Sequence, residues 1–175
     1  NADLGSVQLE DPHADLQLGS VTVHGKSYIT TGTDGLALNL QDATLAETTI
    51  EGPLSTVNLG GVSATGALRL KNGDIESSID CSGGEFDRVV SLSNLGIAAG
   101  GLDLSNATVA EGLVAEECTG WKAGINCTEA ALGRVELSES DLPRLCLQEA
   151  TVTGDVVIEA SAAVDVFAGA NLRVD

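Results

Sequence analysis

Apolar residues recur at a short and nearly constant interval along this sequence, and this repetition restricts the chain to very few folds. Two series of positions carry it, one starting at Leu40 and the other five residues later at Leu45. All 24 positions are apolar, although hydrophobic residues make up only 43% of the chain. Such a period is typical of proteins built from stacked structural repeats. The first series is Leu40, Ile50, Leu59, Leu70, Cys81, Leu92, Leu104, Ala115, Cys127, Leu137, Leu147 and Ile158, and the second is Leu45, Leu54, Ala64, Ile75, Phe86, Ile97, Val109, Trp121, Leu132, Leu142, Val152 and Ala163.

The residues two positions before these anchors indicate short strands. Before the first series they are large and apolar with one exception, Thr48, and before the second series they are mostly small, as at Ala43 and Ala107. A spacing of two places both residues of a pair on the same face of an extended strand. Turn-forming residues such as Ser105-Asn106 follow the pairs. A helical period near 3.6 does not fit this spacing.

The pattern therefore predicts an all-β fold, a right-handed parallel β-helix (β-solenoid) of roughly eight coils of about 20–22 residues each. Residues 36–175 carry the repeat. Residues 1–35 fit it poorly, and we expect them to form an irregular N-terminal cap of strands or an exchange arm that pairs with a neighbouring molecule.

The repeat resembles that of the pentapeptide-repeat proteins, whose motif has a small residue, usually Ala, two positions before a central Leu or Phe. The resemblance spans roughly residues 36–175 and implies a four-sided right-handed coil. Few copies have Asp or Asn directly after the small residue, and many units contain extra residues. Residues 150–156 also resemble the repeats of bactofilins, which are polymer-forming β-helices. The copies that match the pentapeptide motif are Ala43/Leu45, Ala107/Val109, Ala130/Leu132 and Ala150/Val152.

Acidic residues dominate the charge, and the formal net charge is −18. Binding of nucleic acid by phosphate neutralisation, or of an anionic membrane, is therefore not expected. The acidity fits solubility, salt adaptation, a cation-binding surface or mimicry of DNA. The sequence contains neither an apolar run that could insert into a membrane nor a signal peptide, and its start at Asn1 without Met favours a processed chain.

Four glutamates form the candidate metal site. Glu117, Glu129, Glu139 and Glu149 follow successive first-series anchors at nearly equivalent positions. We expect Glu117 to stack on Glu139 and Glu129 on Glu149. Such columns favour screening by salt or divalent cations, with Ca²⁺ as the candidate ion and a solvated acidic face as the alternative. No other cofactor is expected.

The cysteines and two sequons favour export. Cys127 and Cys146 lie about one coil apart, which favours a disulfide, although Cys127 is expected to point inward and Cys146 outward. Cys118 is the alternative partner of Cys127. The sequons begin at Asn106 and Asn126, and both are candidate N-glycosylation sites.

Catalytic motifs are missing from the sequence. His13 and His24 lie outside the repeat with no matching nucleophile, and no phosphate loop or metalloprotease motif occurs. We therefore expect no enzyme.

The leading hypothesis is a structural protein, extracellular or on the cell surface, that forms end-to-end filaments with itself. Its candidate assembly residues are Val166, Leu172 and Val174, because the apolar repeat continues through them. The alternative is a cytoplasmic acidic DNA mimic of the pentapeptide-repeat type, which binds a DNA-handling enzyme.

Overall fold

A computed structural model of the chain describes residues 2–32, 35–159, 165–167 and 173–174. Every helix or strand found in these residues is a β-strand. The strands are β1 Asp3–Leu4, β2 Val7–Glu10, β3 Leu16–Gln17, β4 Thr22–Val23, β5 Ser27–Thr30, β6 Leu36–Asn39, β7 Thr44–Leu45, β8 Thr48–Glu51, β9 Leu54–Asn58, β10 Ser63–Ala64, β11 Leu68–Ile75, β12 Ile79–Asp80, β13 Glu85–Phe86, β14 Val90–Ile97, β15 Gly101–Asp103, β16 Thr108–Val109, β17 Leu113–Glu116, β18 Gly124–Asn126, β19 Ala131–Leu132, β20 Val135–Ser138, β21 Arg144–Cys146, β22 Thr151–Val152, β23 Val156–Glu159, β24 Asp165–Phe167 and β25 Arg173–Val174.

The strands stack in parallel in three columns, here called faces, and the chain visits the faces in the same order in every coil. The long strands β11 and β14 continue past face 2 around a bend, where residues 73–75 pair with residues 95–97 and form a further, shorter side of the coil. Face 1 is a nine-stranded sheet that starts at β1 and takes every third strand up to β25. Face 2 starts at β2 and ends at β23, and face 3 starts at β3 and ends at β24. Faces 2 and 3 belong to one 16-stranded sheet, because β11 also pairs with β9 through Ile75 and Leu54.

This architecture confirms the predicted all-β solenoid, with about seven turns rather than roughly eight. The seven complete turns run from β1 to β22 along face 1 and differ slightly in length. The predicted count assumed that the repeat continues unbroken to residue 175, whereas residues 160–164 and 168–172 lie outside the described residues.

The segment predicted to cap the solenoid, or to act as an arm, contributes strands to the same three faces. Asp3 pairs with Thr22 on face 1, Val7 with Ser27 on face 2 and Leu16 with Leu38 on face 3. Residues 3–30 thus continue the parallel pairing of the later coils. The first anchor series in fact continues through Leu9, Leu18 and Ile29 in register with the later anchors, so the sequence pattern contained this signal although the prediction did not use it. A boundary at residue 35 stays a prediction.

The interior is filled by the anchors of the two series. Of the 24 anchors, 22 are buried, Ile158 is exposed and Ala163 lies outside the described residues. The small residues before the second-series anchors make room for larger neighbours. A Cβ at Gly84, for example, would lie 2.5 Å from the ring of Phe86. Close-packed cores do not tolerate such overlap, so the small position is a packing requirement.

Candidate functional site: corner columns and open ends

Two of the bends between faces have a left-handed backbone in coil after coil. Corner A lies four residues after the first residue of each face 2 strand, which places it inside the long strands β11 and β14, and corner B follows face 3. The backbone angle φ is between 46° and 103° in corner A and between 56° and 66° in corner B. Glycine adopts such φ values freely, Asn and Asp adopt them with little penalty, and other residues lose stability. The columns are Asp11, Gly52, Asn72, Asn94, Glu117 and Glu139 at corner A, and Ser20, Asp42, Gly61, Gly83, Asn106, Glu129 and Glu149 at corner B.

The four candidate metal ligands all lie in these columns. Glu117 and Glu139 occupy corner A of adjacent coils, since Glu116 pairs with Ser138 directly before them. Glu129 and Glu149 stand in the same relation at corner B, where the Glu129 N–H donates to the Gln148 carbonyl at 2.9 Å. Adjacent coils lie about 4.8 Å apart, so the backbone positions of each pair stack and bring two acidic residues into one column.

Within the described residues, no group of three or more His, Cys, Asp or Glu side chains is arranged to hold a metal ion. Two stacked carboxylates provide fewer ligands than the six to eight oxygens that Ca²⁺ takes. The role of these glutamates as Ca²⁺ ligands stays a prediction.

A hydrogen-bonded side-chain ladder runs along corner A and ends on a carboxylate. The Asn94 amide donates to Asn72 Oδ1 at 3.1 Å, and the Asn72 amide donates to Glu51 Oε1 at 2.8 Å. Glu51 Oε2 accepts the Tyr28 hydroxyl at 2.5 Å and lies 3.2 Å from Lys71 Nζ. The Tyr28 hydroxyl, then the Asn72 amide, and finally Lys71 outweigh partial burial and lower the pKa of Glu51 to about 2. Sequence reasoning missed this ladder, although Asn72 and Asn94 occupy equivalent positions of neighbouring repeats.

A second polar column runs along the outer surface of face 3 and braces corner B. In five of its members the side-chain Oδ1 accepts a hydrogen bond from the backbone N–H two residues later, at 2.9 to 3.2 Å. These bonds form an Asx turn at each corner. The column consists of Gln17, Asn39, Asn58, Asp80, Asp103, Asn126 and Cys146.

The two sequons differ in their surroundings. Asn106 is exposed at corner B. The Asn126 amide donates to Asp103 Oδ1 at 3.1 Å, and Asn126 Oδ1 accepts the Thr128 hydroxyl at 2.7 Å. An exposed amide is the more accessible acceptor, so Asn106 is the better candidate for glycosylation.

All four cysteines are free thiols. The Cys127 N–H donates to the Cys146 carbonyl at 2.8 Å, but Cys127 occupies an inward anchor position, whereas Cys146 pairs with the outward-facing Asn126. Opposite orientations on adjacent strands separate the two sulfurs despite the close backbones. Cys118 is buried, with its N–H on the Ser140 hydroxyl at 3.1 Å. The structure thus gives no support to the predicted disulfides.

The cysteine environments also differ in electrostatics. Burial raises the pKa of Cys118 to about 11 and that of Cys127 to about 12. Cys146 is only 7% exposed, and this burial raises its pKa, but the Thr128 hydroxyl, the backbone of Gln148 and the nearby Arg144 outweigh burial and lower the pKa below its usual value. Cys146 is therefore the most readily ionised thiol of the four.

Of the other residues singled out from the sequence, the two histidines lie on the surface and the tryptophan lies in the core. His24 Nε2 lies 2.7 Å from Asp3 Oδ1 on the surface, and His13 lines an open depression with Asp11 and Asp15. Trp121 is buried as an enlarged anchor, and its Nε1 has no hydrogen-bond partner among the described residues.

The two ends of the solenoid differ from its middle in how far the inward-facing residues are buried. In the first coil these residues are only half-buried, and among the described residues β1, β2 and β3 each pair on one edge only. At the other end, Val156 is half-buried and Ile158 is 37% exposed, while β23 pairs only with β20 in the described part of the chain. The half-buried residues of the first coil are Leu4, Val7, Leu9, Leu16 and Leu18.

The candidate assembly residues belong to this second end. Val166 pairs with Leu145 in β24, and Val174 pairs with Val152 in β25. Leu172 lies outside the described residues.

No known family model, curated protein or solved structure matches this chain. Among the described residues, no helix is long and apolar enough to cross a membrane.

Proposed function

We propose that this chain is a non-enzymatic structural protein whose solenoid associates end to end with further copies of itself. The observation that carries the proposal is the parallel, in-register pairing of equivalent strands from coil to coil, together with the incomplete burial of the inward-facing residues in the outermost described coils. In one column, Ile50 and Leu137 are at most 1% exposed in the middle of the rod, whereas Leu9 is half-buried and Ile158 is 37% exposed at its ends.

Two physical terms favour closure of these ends. Burying a Val, Leu or Ile side chain completely contributes about 1.5–3 kcal/mol, and five such residues are half-buried in the first coil. The outer edges of the terminal strands also present backbone N–H and C=O groups that template further strand pairing. A second copy stacked on the end satisfies both terms.

The finer assignments rest on the sequence. The likeness to pentapeptide-repeat proteins and to bactofilins supports a self-associating β-helix in this proposal. The exposed sequon at Asn106 supports export to the cell surface or the extracellular space.

Sedimentation velocity and electron microscopy of the purified chain test the proposal. We expect rods that lengthen with protein concentration without widening. Ile158→Asp places a charge at the end of the rod and shortens the assemblies, whereas the matched control Thr108→Asp places it on the exposed middle of face 1 and leaves them unchanged. A wild-type chain that stays monomeric at high concentration would falsify the proposal.

The second candidate function, an acidic DNA mimic of the pentapeptide-repeat type, is favoured by the stacked acidic positions at the corners and by the net charge of −18. This function would place the protein in the cytoplasm. Its test is a DNA gyrase supercoiling assay, in which the mimic inhibits at low salt and loses the effect as salt screens its charge. Unchanged supercoiling at every protein concentration would remove this candidate.

A further inference from the structure

We propose that two copies of this chain pair side by side and antiparallel along one edge of the solenoid, the bend between face 1 and face 2, here called corner C. This pairing goes beyond the proposed end-to-end association and does not rest on it. The surface that carries it is a row of residues in five consecutive coils, each one or two positions before a face 2 strand. The row is Lys26, Glu47, Ala67, Arg88 and Glu111.

The edge at corner C is neutral on a strongly acidic molecule. The four charged residues of the row cancel, and so do Arg69 and Asp87, which lie beside the row. Two copies with a net charge of −18 each repel one another at long range. A neutral edge lets them approach without facing like charges.

The row consists of two ion pairs with a depression between them. Lys26 Nζ lies 2.6 Å from Glu47 Oε2, and Arg88 forms an ion pair with Glu111. Packing sets the depression between the pairs, because a Cβ at Gly66 would lie 2.5 Å from the backbone nitrogen of Glu47. Along the rod the row therefore reads positive, negative, neutral, positive, negative.

This order of charges is complementary to itself when one copy is turned end over end. A two-fold axis through Ala67, perpendicular to the rod, places Lys26 opposite Glu111 of the second copy. It also places Glu47 opposite Arg88 of the second copy, and the two depressions face each other. The contacts repeat on the other side of the axis, so four pairs of opposite charges form. An isologous contact of this kind closes after two copies.

Other arrangements of two rows match less well. A two-fold axis along the rod makes the copies parallel and places each charge opposite its own equivalent, so like charges meet. An antiparallel register centred between Glu111 and Arg134 also pairs opposite charges, as at Arg88 and Asp155. It leaves the first ion pair and the depression outside the contact between described coils. The register centred on Ala67 uses the whole row.

The charged side chains of the row are accessible to a second copy. Their exposed fraction is 81% for Lys26, 36% for Glu47, 61% for Arg88 and 47% for Glu111. One exposed ion pair contributes little to association, so the row determines orientation and register more than affinity. Because pairing uses the rows of both copies, neither row is left for a third copy, and paired rods keep one width as they lengthen.

Sedimentation velocity of charge-reversed variants at about 0.1 M salt tests the pairing. The Debye length is then about 10 Å, so charges on the far sides of two rods are screened whereas facing charges are not. Glu47→Arg and Arg88→Glu each bring like charges together twice, and each should raise the dissociation constant of the pair about tenfold or more. Arg134→Glu is the matched control, because it changes the net charge as Arg88→Glu does but lies opposite the uncharged Ser6. It should pair as the wild type does.

An equimolar mixture of Glu47→Arg and Arg88→Glu is the decisive sample. Neither variant matches itself, but in the mixed pair every charge of the row again faces an opposite charge, so the mixture should pair as the wild type does. Circular dichroism checks the folding of each variant. Where a reversal prevents folding, Glu47→Gln and Arg88→Gln replace it, and these should weaken pairing whereas Arg134→Gln should not.

Three results would overturn the proposal. The first is a wild type that forms rods one solenoid wide in electron micrographs at this salt concentration. The second is a mixture that does not pair although the wild type does. The third is loss of pairing in Arg134→Glu but not in Glu47→Arg, which would assign the other antiparallel register. Pairing is read from the width of the rods and end-to-end association from their length, so the failure of one is distinguished from the failure of the other.

Discussion

At the scale of single residues, the lowered pKa values of Glu51 and Cys146 depend on side chains of adjacent coils. Glu51 receives its hydrogen bonds from Tyr28 one coil before and from Asn72 one coil after. Cys146 likewise contacts the adjacent coil, with 3.5 Å between its sulfur and the Thr128 hydroxyl oxygen. Stacking thus creates local electrostatics that no single coil contains.

Glu51 gives the stability of the protein a pH dependence that Glu51→Gln removes. Its pKa is about 2 in the folded chain against an ordinary value of 4.5, so the unfolded state binds more protons between these values. The contribution is therefore fully present above pH 4.5 and is lost as the pH falls toward 2. We expect the difference in unfolding free energy between wild type and variant to be on the order of 2 kcal/mol at pH 7 and to shrink toward pH 2, measured by urea unfolding.

Tyr28→Phe is the companion variant, because it removes only one of the hydrogen bonds to Glu51. The difference in unfolding free energy between wild type and Tyr28→Phe should depend on pH in the same direction as that for Glu51→Gln, and it should be smaller. An equal difference between wild type and Glu51→Gln at pH 7 and pH 2.5 would contradict the low pKa.

Cys146 should react first with thiol reagents. Its pKa is below the usual value, whereas burial raises the pKa values of Cys81, Cys118 and Cys127. With iodoacetamide on the folded, unreduced chain, mass spectrometry should find Cys146 alkylated before the other three, and Cys146→Ser should lose this fast phase. If Cys146 is labelled only after reduction, it forms a disulfide in the folded chain, and the prediction of a reactive thiol is wrong.

At the scale of elements, the corner columns determine how the faces meet. Corner A changes along the rod from Gly52 through Asn72 and Asn94 to Glu117 and Glu139. Asn fits the left-handed backbone and donates along the column, as Asn94 does to Asn72. An ionised Glu has no donor, and it carries the cost of the left-handed backbone and of a like charge one coil away.

Glu117→Asn and Glu139→Asn should therefore stabilise the chain, by about 0.5–1 kcal/mol each. Glu117→Gln is the matched control, because it removes the charge but keeps a side chain that disfavours positive φ. It should give a smaller gain than Glu117→Asn in the same chemical denaturation measurement. Destabilisation by both Asn variants would show that the carboxylates themselves hold this corner together.

At the scale of the whole molecule, repulsion between the surface charges opposes folding, which burial of the apolar core favours. One continuous apolar interior runs along the rod, while a net charge of −18 is distributed over its surface. Most of the basic residues that form ion pairs lie near the first half of the rod, as Lys26, Arg69 and Lys71 do with Glu47 and Glu51. Repulsion between carboxylates is thus an expected cost of folding and of assembly.

Salt should raise the melting temperature. Screening shortens the Debye length from about 10 Å at 0.1 M to about 3 Å at 1 M, which weakens repulsion between stacked carboxylates. We expect a melting temperature several degrees higher in molar NaCl than in dilute buffer, by calorimetry. A specific Ca²⁺ site would act at millimolar concentration, and its effect would disappear in the Glu117→Asn and Glu139→Asn double variant. An equal melting temperature under all three conditions would contradict both effects.

The sequence by itself determined the class of fold and the interior of the rod. A short, nearly constant step between apolar anchors, as at Leu70, Leu92 and Leu137, leaves a stacked parallel solenoid as the consistent arrangement, and these anchors are buried. The pattern also placed Glu117 one coil from Glu139. Periodicity succeeds here because side-chain direction alternates along a strand and equivalent residues stack.

Only the tertiary structure decided which residues in adjacent coils meet and with what chemistry. Coil lengths vary along the rod, so neighbours such as Tyr28 and Glu51 cannot be paired by counting. The variation begins at the first coil, where the step from Asp3 to its partner Thr22 is shorter than the step from Thr22 to Thr44. Most of the extra residues lie between faces 2 and 3, where the step from Thr48 to Val57 is shorter than the equivalent step from Val90 to Leu102, and only the folded chain decides where they fit.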